Sequence, residues 1–418
     1  YYKIEINPNG QINLLNKKNN MYYQNILDIE DCGDWGDEYD YSGPKENQTD
    51  VIYAMKDALI MESVPYIDGP SQKTYKIKML INLPISLKED RSTRDENLIE
   101  NKLTLYISLY KGIDRIDFRI KYHNKSKDHR IRAIFNSEIK SDKVYADGHF
   151  YIVSRNIELP HSESWVQKAL PTNHQKDFIC IQDESTYFAV FNKGLPEYEA
   201  IKKKDGTIDL GITLLRSIGW LSRGDFASRG GIAGPDLHTP GAQCLGKHTF
   251  ELSLSIKHNE AGLLNSEVHV IGKNFNNPLI SAFPETIKKV VRVRDKLIFS
   301  IIALLLPYKK PKEEMKSYLP ESICFLKIEN KNILLSALKK SEEGNFLILR
   351  LYNLASSLQR TKIILFKDIY IKAAQIVNFL EEKPERNIKA NIIHHLDNLI
   401  ELEINPHVIV SLKIEIQY

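Results

Sequence analysis

The sequence predicts an all-β protein, a large antiparallel β-sandwich followed by a smaller one. Three observations predict it. Apolar and polar residues alternate with a period of two through most of the chain, which turns one face of each strand to a core and the other to water. Glycine-containing turns separate pairs of such segments at hairpin spacing. Apolar recurrence at helical spacing is scarce.

In chain order, "YYKIEINPNGQINLL" reads as strand, Asn9-Gly10 turn and strand. "TYKIKMLINLPISL" continues the alternation, and "KLTLYISLYKGIDRIDFRIKYHN" gives two strands about Lys111-Gly112. "EAIKKKDGTIDLGITLLRS" repeats the device at Asp205-Gly206, and "HTFELSLSIKH" closes the series. The block from 1 to 275 is too long for an immunoglobulin-size sandwich and fits a larger one. From Asn276 to about Pro320 prolines and the cluster "PYKKPKEEMKSYLP" mark 276–319 as a linker or connecting segment. Alternation resumes in "SICFLKIENKNILLSALKKSEEGNFLILRLYN" and "LIELEINPHVIVSLKIEIQY", giving a small sandwich over 320–418. No internal repeat or low-complexity tract interrupts this plan.

The chain has 418 residues and 42% hydrophobic content, enough for a sizeable core in two or three domains. Lys and Arg number 57 against 54 Asp and Glu, and the signs are interleaved. A net charge of +3 without a basic stripe argues against nucleic acid as partner. Cys32, Cys180, Cys244 and Cys324 are widely spread, a pattern of reducing compartments, so a cytoplasmic location is expected. The run Leu297 to Pro307 is shorter than the roughly 20 residues that span a bilayer, so no membrane association is expected. No charged and apolar leader opens the chain, and its abrupt start on a strand pattern leads us to expect a region upstream.

Phosphate-binding glycine loops, GxSxG and HExxH are absent from the sequence. His395-Leu396-Asp397, beside His394, has donors that zinc accepts, but it lies in an alternating segment and reads as a strand end or surface feature. The stretch "DCGDWGDEYDYSGP" raises sharper alternatives. Its spacing Asp34-x-x-Asp37-Glu38-x-Asp40 departs from a calcium loop. Carboxylates so close in sequence are ill placed to face a sugar from opposite sides, as glycoside hydrolysis requires. Two readings stay open: a solvated acidic turn, or a glycine-hinged loop on which Tyr39 or Trp35 stacks on a sugar ring. Asp34 and Asp37 also suit the role of accepting backbone N–H groups within the loop. A second long Gly/Pro-rich stretch between strong strands, Leu214 to Leu254, carries Arg216, Arg223, Arg229, Asp225, Asp236 and His238. His174 in "LPTNHQKDF" and Glu197 in "GLPEYEA" are weaker candidates, for which turn roles suffice.

The segments "GDWGDEYDYSGP", "GLPEYEA" and the stretch from "LLRSIGWLSRGD" to "TPGAQCLGKHTFELSL" resemble the C-terminal half of glycoside hydrolase family 38, the α-mannosidases, especially the bacterial branch that includes mannosylglycerate hydrolases. "ILLSALKKSEEGNFLILRLYN" is similar to the final β-sandwich of the same proteins. The resemblance spans most of 1–275 and about 320–418. It implies a galactose mutarotase-like supersandwich for the large domain, and a retaining exo-α-mannosidase for the whole protein. In that family an Asp nucleophile sits beside zinc held by His and Asp, with a second carboxylate as acid/base, mainly on an N-terminal β/α barrel. The family's His-x-Asp-Trp zinc motif has no match here, since Asn398 follows Asp397. The expectation is therefore no catalytic residue and no metal ligand in this chain, with zinc bound by the absent N-terminal domain. What the resemblance leaves to this half is substrate contact at the rim of the site. Tyr39 resembles the family tyrosine that reaches the sugar, one of Arg216, Arg223 and Arg229 resembles the arginine supplied from this half, and Asp37, near Tyr39 in sequence, is a further substrate-binding candidate. The implied partners are a mannoside or mannosylglycerate-type carbohydrate and the intramolecular catalytic barrel; a homo-oligomer stays open, since the residues do not settle the oligomeric state. A stand-alone carbohydrate-binding module without chemistry is the alternative.

Overall fold

The computed structural model describes residues 1–43, 50–225, 229, 231–259, 262–280 and 322–417. The chain divides into two units, one of Tyr1–Gly148 with Ile152–Asn277 and the other of His149–Tyr151 with Pro278–Tyr418. Both are built from antiparallel sheets.

In the larger unit the strands predicted from alternation form and pair as hairpins. Tyr2–Ile6 and Ile12–Asn16 join through a turn in which Gly10 has φ +86°, and Thr207–Ser217 follows Glu197–Lys202 through Gly206 at the same φ. These are left-handed positions that favour glycine. With Met21–Tyr23 the first hairpin makes a three-stranded sheet. A six-stranded sheet runs in the order Thr172–His174, Glu197–Lys202, Thr207–Ser217, His129–Lys140, Leu27–Gly33, Ile52–Tyr53. A nine-stranded sheet runs from Ile152–Asn156 through Lys143–Asp147, Phe178–Gln182, Thr186–Asn192, Gly246–His258, Ile116–Asn124, Leu98–Tyr110 and Gln72–Pro84 to Leu59–Asp68.

One continuous core joins these sheets. Ile77, Met79, Ile81 and Leu83 face it from one strand while the alternating Lys76 and Lys78 do not. Ile29, Ala133, Phe135, Leu210 and Ile212 meet them from the six-stranded sheet. Phe118 and Phe135 pack edge to face with ring centroids 5.7 Å apart, a geometry that adds about 0.5–1.5 kcal/mol beyond burial. The outer face of the nine-stranded sheet buries Phe178, Tyr187 and Phe191 beneath the helix Val268–Asn276. That helix falls inside the stretch expected to be sheet-rich to 275. Its Val268, Gly272 and Phe275 make a helical stripe, but nine residues are too few for the period to stand out from strand patterning. Gly272 lets the helix lie close, since a Cβ there would stand 3.3 Å from both Phe178 and Phe191.

The smaller unit has two four-stranded sheets. One is ordered Leu326–Ile328, Gln359–Leu365, Leu399–Ile404, Ala390–Leu396, and the other Ile333–Lys340, Leu347–Asn353, Ile409–Gln417, Tyr370–Val377. Leu349, Leu351, Ile363, Ile400, Leu402, Val410 and Leu412 fill the space between them. Nearly all of the proposed linker 276–319, including the apolar run Leu297 to Pro307, lies outside the described residues. Among the described residues no helix is long and apolar enough to cross a membrane.

Candidate functional site: an ion-braced rim loop

The loop 34–43 springs from the end of Leu27–Gly33, where the sheet is fixed by a buried polar group. Asp31 lies 2.6 Å from His129 Nδ1 and 2.6 Å from Arg94 Nη1, and His129 Nε2 is 3.0 Å from Asn124 Oδ1. His129 and Arg94 outweigh the burial that would raise the Asp31 pKa, so its carboxyl is held below the usual range.

Beyond this anchor the loop closes on itself. The Asp34 Oδ1 atom accepts the Gly36 and Ser42 N–H groups at 2.9 and 3.3 Å, and Trp35 N–H donates to Ser42 O at 2.8 Å. Asp37 Oδ1 accepts from Tyr39 and Asp40 N–H at 2.9 and 3.0 Å. Both are Asx-type turns, the role the sequence allowed for Asp34 and Asp37. Gly36 is obligatory, because a Cβ there would stand 1.9 Å from Asp40 O.

Arginines from 180 or so residues away lock the loop in place. Arg216, on Thr207–Ser217, donates from Nε to Asp34 Oδ2 and from Nη2 to the carbonyls of Asp37 and Asp40, each at 2.8 Å. Arg229 donates from Nη2 to Asp37 Oδ2 at 2.5 Å and from Nη1 to Asp40 Oδ2 at 2.6 Å. Asp37 Oδ2 also accepts the Arg223 N–H at 2.8 Å. Burial works against ionised Asp37, yet the backbone N–H groups of Arg223 and Asp40, the Arg229 guanidinium and the Tyr39 N–H together hold its pKa below the usual range. Arg216 is likewise opposed by burial but held strongly cationic by Asp34. Two guanidiniums thus offset two of the three charges of the buried carboxylates, Arg229 being shared between Asp37 and Asp40. Such groups brace a loop; a general acid would need a raised pKa.

What the brace presents is Tyr39. Its ring is 54% exposed, with the Arg229 guanidinium 5.9 Å from its centroid. Gly234 backs the phenol, where a Cβ would stand 2.9 Å from the hydroxyl. Arg223 holds Asp225 through two bonds of 2.8 and 2.6 Å and lies 4.8 Å over Trp220. Of the sequence candidates, Tyr39, Asp37, Arg216, Arg223 and Arg229 therefore come together, while Trp35 is buried with its indole N–H on Arg91 O at 2.6 Å. Glu197 accepts the Thr213 hydroxyl at 2.6 Å, and His174 lies 3.1 Å from Arg155.

A third loop went unnoticed in the sequence. Gln167 donates to Asp40 Oδ2 at 3.1 Å and forms a bridge with Arg229, placing the 53%-exposed Trp165 two residues from the rim. The signal was there, a tryptophan between Pro160 and Pro171, but nothing local ties it to residue 40.

The described residues do not fit zinc. Asp34, Asp37 and Asp40 are each taken by an arginine, and His394 lies on an exposed strand beside Glu401 at 3.3 Å. No three His, Cys, Asp or Glu side chains converge as a metal-holding group among the described residues. The four cysteines are all free.

Comparison with known proteins agrees with this architecture. Residues 1–236 match the glycosyl hydrolases family 38 C-terminal domain, and residues 332–412 the glycosyl hydrolases family 38 C-terminal beta sandwich domain. A Halalkalibacterium halodurans protein named "Putative mannosylglycerate hydrolase" is 22% identical over 99% of this chain and 41% of its own length. Two Enterococcus faecalis crystal structures share the fold at TM-score 0.73 over 99% of this chain. One is of a glycosyl hydrolase family 38 protein, 21% identical and 43% covered, and the other of an alpha-mannosidase, 22% identical and 41% covered. The chain thus spans about two fifths of the length of these relatives. With the family match covering more than half of its residues, this chain belongs to glycosyl hydrolase family 38, of which it carries the C-terminal region.

Proposed function

We propose that this chain is the non-catalytic C-terminal part of a retaining exo-α-mannosidase, and that it lends the loop 34–43 to the rim of a mannoside site. The zinc-dependent chemistry belongs to a barrel outside these residues. The observation that carries the reading is Tyr39, an exposed aromatic ring held on a loop whose Asp34, Asp37 and Asp40 carboxylates are spent on bracing. A flat ring with a hydroxyl suits a sugar face, and a preformed loop lowers the ordering cost of binding. Arg223, partly exposed beside Trp220, is the companion that can meet a hydroxyl or the carboxylate of a glycerate aglycone.

The test is kinetic. In the full-length enzyme Tyr39→Ala should lower kcat/KM for an aryl α-mannoside about tenfold or more, with Tyr39→Phe intermediate. Residues 1–418 alone should show no turnover. Measurable hydrolysis by these residues would overturn the non-catalytic assignment, and unchanged kinetics in both Tyr39 variants would remove the rim role. Tyr39-dependent binding of methyl α-mannoside by a full-length protein that lacks turnover would instead favour a carbohydrate-binding module.

A further inference from the structure

Beneath the rim loop lies a guanidinium that the brace leaves out. Arg130, on His129–Lys140, pairs in register with Cys32 on one side and Arg216 on the other. It shares the face of Arg132, opposite the core residues Ile131 and Ala133. Arg130 is 3% exposed, yet its Nε and Nη1 atoms meet no hydrogen-bond acceptor among the described residues. The carboxylates at hand are engaged by its neighbours, since Glu30 and Glu199 hold Arg132 and Asp34 holds Arg216. Three guanidiniums thus lie among three carboxylates, so what Arg130 lacks is acceptors rather than net balance. Burial pushes the Cys32 thiol up to about 11 and raises the Tyr41 phenol as well, so neither supplies an anion. A buried charged donor without an acceptor destabilises a fold, and an apolar side chain of similar size would not. Stability alone therefore does not account for an arginine at this position.

What Arg130 does touch is Tyr41. Its guanidinium carbon stands 3.4 Å from the ring centroid, a distance reached only from over the ring face. Arg223 over Trp220 and Arg229 at Tyr39 are more distant, at 4.8 and 5.9 Å. The Tyr41 hydroxyl donates to Cys32 Sγ at 3.3 Å, so the ring is held at its face and at its tip. Side chains along 39–41 then divide three ways. Tyr39 goes out to solvent, Asp40 to Arg229 and Gln167, and Tyr41 onto Arg130. The ring that Arg130 grips is two residues from the ring offered to a sugar.

We propose that Arg130 is a positioning residue for the mannoside site, setting through the Tyr41 ring the attitude of the backbone that carries Tyr39. The inference rests on the rim role of Tyr39. A planar guanidinium over a ring fixes its tilt as an aliphatic side chain does not, and a small misplacement of a contact residue lowers rate steeply. The test sets activity against stability. In the full-length enzyme Arg130→Met should lower kcat/KM for an aryl α-mannoside about fivefold or more. In residues 1–418 the same change should leave the urea midpoint unchanged or raise it, whereas loss of a purely structural group would lower it. Tyr41→Leu should reproduce the kinetic loss, and the double variant should be no worse than either single one. Unchanged kinetics in Arg130→Met, a lowered urea midpoint, or additive losses in the double variant would overturn the proposal. Activity lost in Tyr39→Ala but not in Arg130→Met would sink it and leave the rim role standing. No loss in either Tyr39 variant would instead remove the rim role on which it rests.

Discussion

Replacing Arg216 with Met removes the guanidinium that joins the end of a core strand to the rim loop, and its cost can be worked from the contacts. The side chain is 15% exposed and Asp34 wholly buried, so the variant strands a carboxylate that keeps only the Gly36 and Ser42 N–H groups. Breaking one partner of such a buried pair costs about 3–5 kcal/mol. The carbonyls of Asp37 and Asp40 lose donors as well, but water can reach part of that loss. For a unit of this size about 3–5 kcal/mol lowers Tm by roughly 6 to 20 °C. Trp35, Trp165 and Trp220, the three tryptophans of the chain, all fall in the larger unit, so their fluorescence in a urea titration reports on it directly. Asp34→Asn in the Met background should recover part of the loss, because the stranded charge is gone. The coupling energy should then exceed about 1 kcal/mol. If Arg216→Met cost less than about 1 kcal/mol, or the two changes were additive, the loop would be held by its turns alone and the brace would be incidental.

Three further outcomes are expected. Burial pushes the Asp28 carboxyl up to about 6, against the pull of the Met55 and Ile29 N–H groups. A folded pKa above the unfolded one gives stability that is full below about pH 4 and declines as pH rises to about 6. Asp28→Asn should therefore stabilise by up to about 3 kcal/mol at pH 7.5 and have little effect at pH 3.5; equal urea midpoint shifts at both pH values would contradict this. Gly36→Ala must move the Asp40 carbonyl, and should cost about 1–3 kcal/mol while speeding amide exchange across residues 34–43. Leu412→Ala, at a fully buried position of the smaller unit, should cost about 2–5 kcal/mol and raise exchange in Leu347–Asn353, its hydrogen-bonded neighbour.

The strands and their turns were legible because they are local. The alternation of Lys76 and Lys78 with Ile77 and Met79 shows on paper which face is buried, and Asn9-Gly10, Lys111-Gly112 and Asp205-Gly206 all became turns with glycine at positive φ. The two loops rich in charge were also visible as loops. What the sequence left open was whether the loop of Asp34, Asp37 and Asp40 was a solvated acidic turn or an ordered loop that meets a ligand. That depends on Arg216 and Arg229, some 180 to 190 residues distant, arriving within hydrogen-bond reach. Gln167 escaped notice for the same reason, as its partner lies 127 residues away.

The outermost strand of the nine-stranded sheet, Leu59–Asp68, has a bearing on self-association. Leu59, Met61, Tyr66 and Ile67 are exposed along it, the profile of an edge that invites another chain to pair. Its register, however, shifts between Ile60 and Glu62 and again between Pro65 and Ile67. Pro65 has no N–H to offer. An incoming strand would meet a broken row of donors and acceptors along this edge, so sheet growth of the fibrillar kind is disfavoured there despite its exposed apolar side chains.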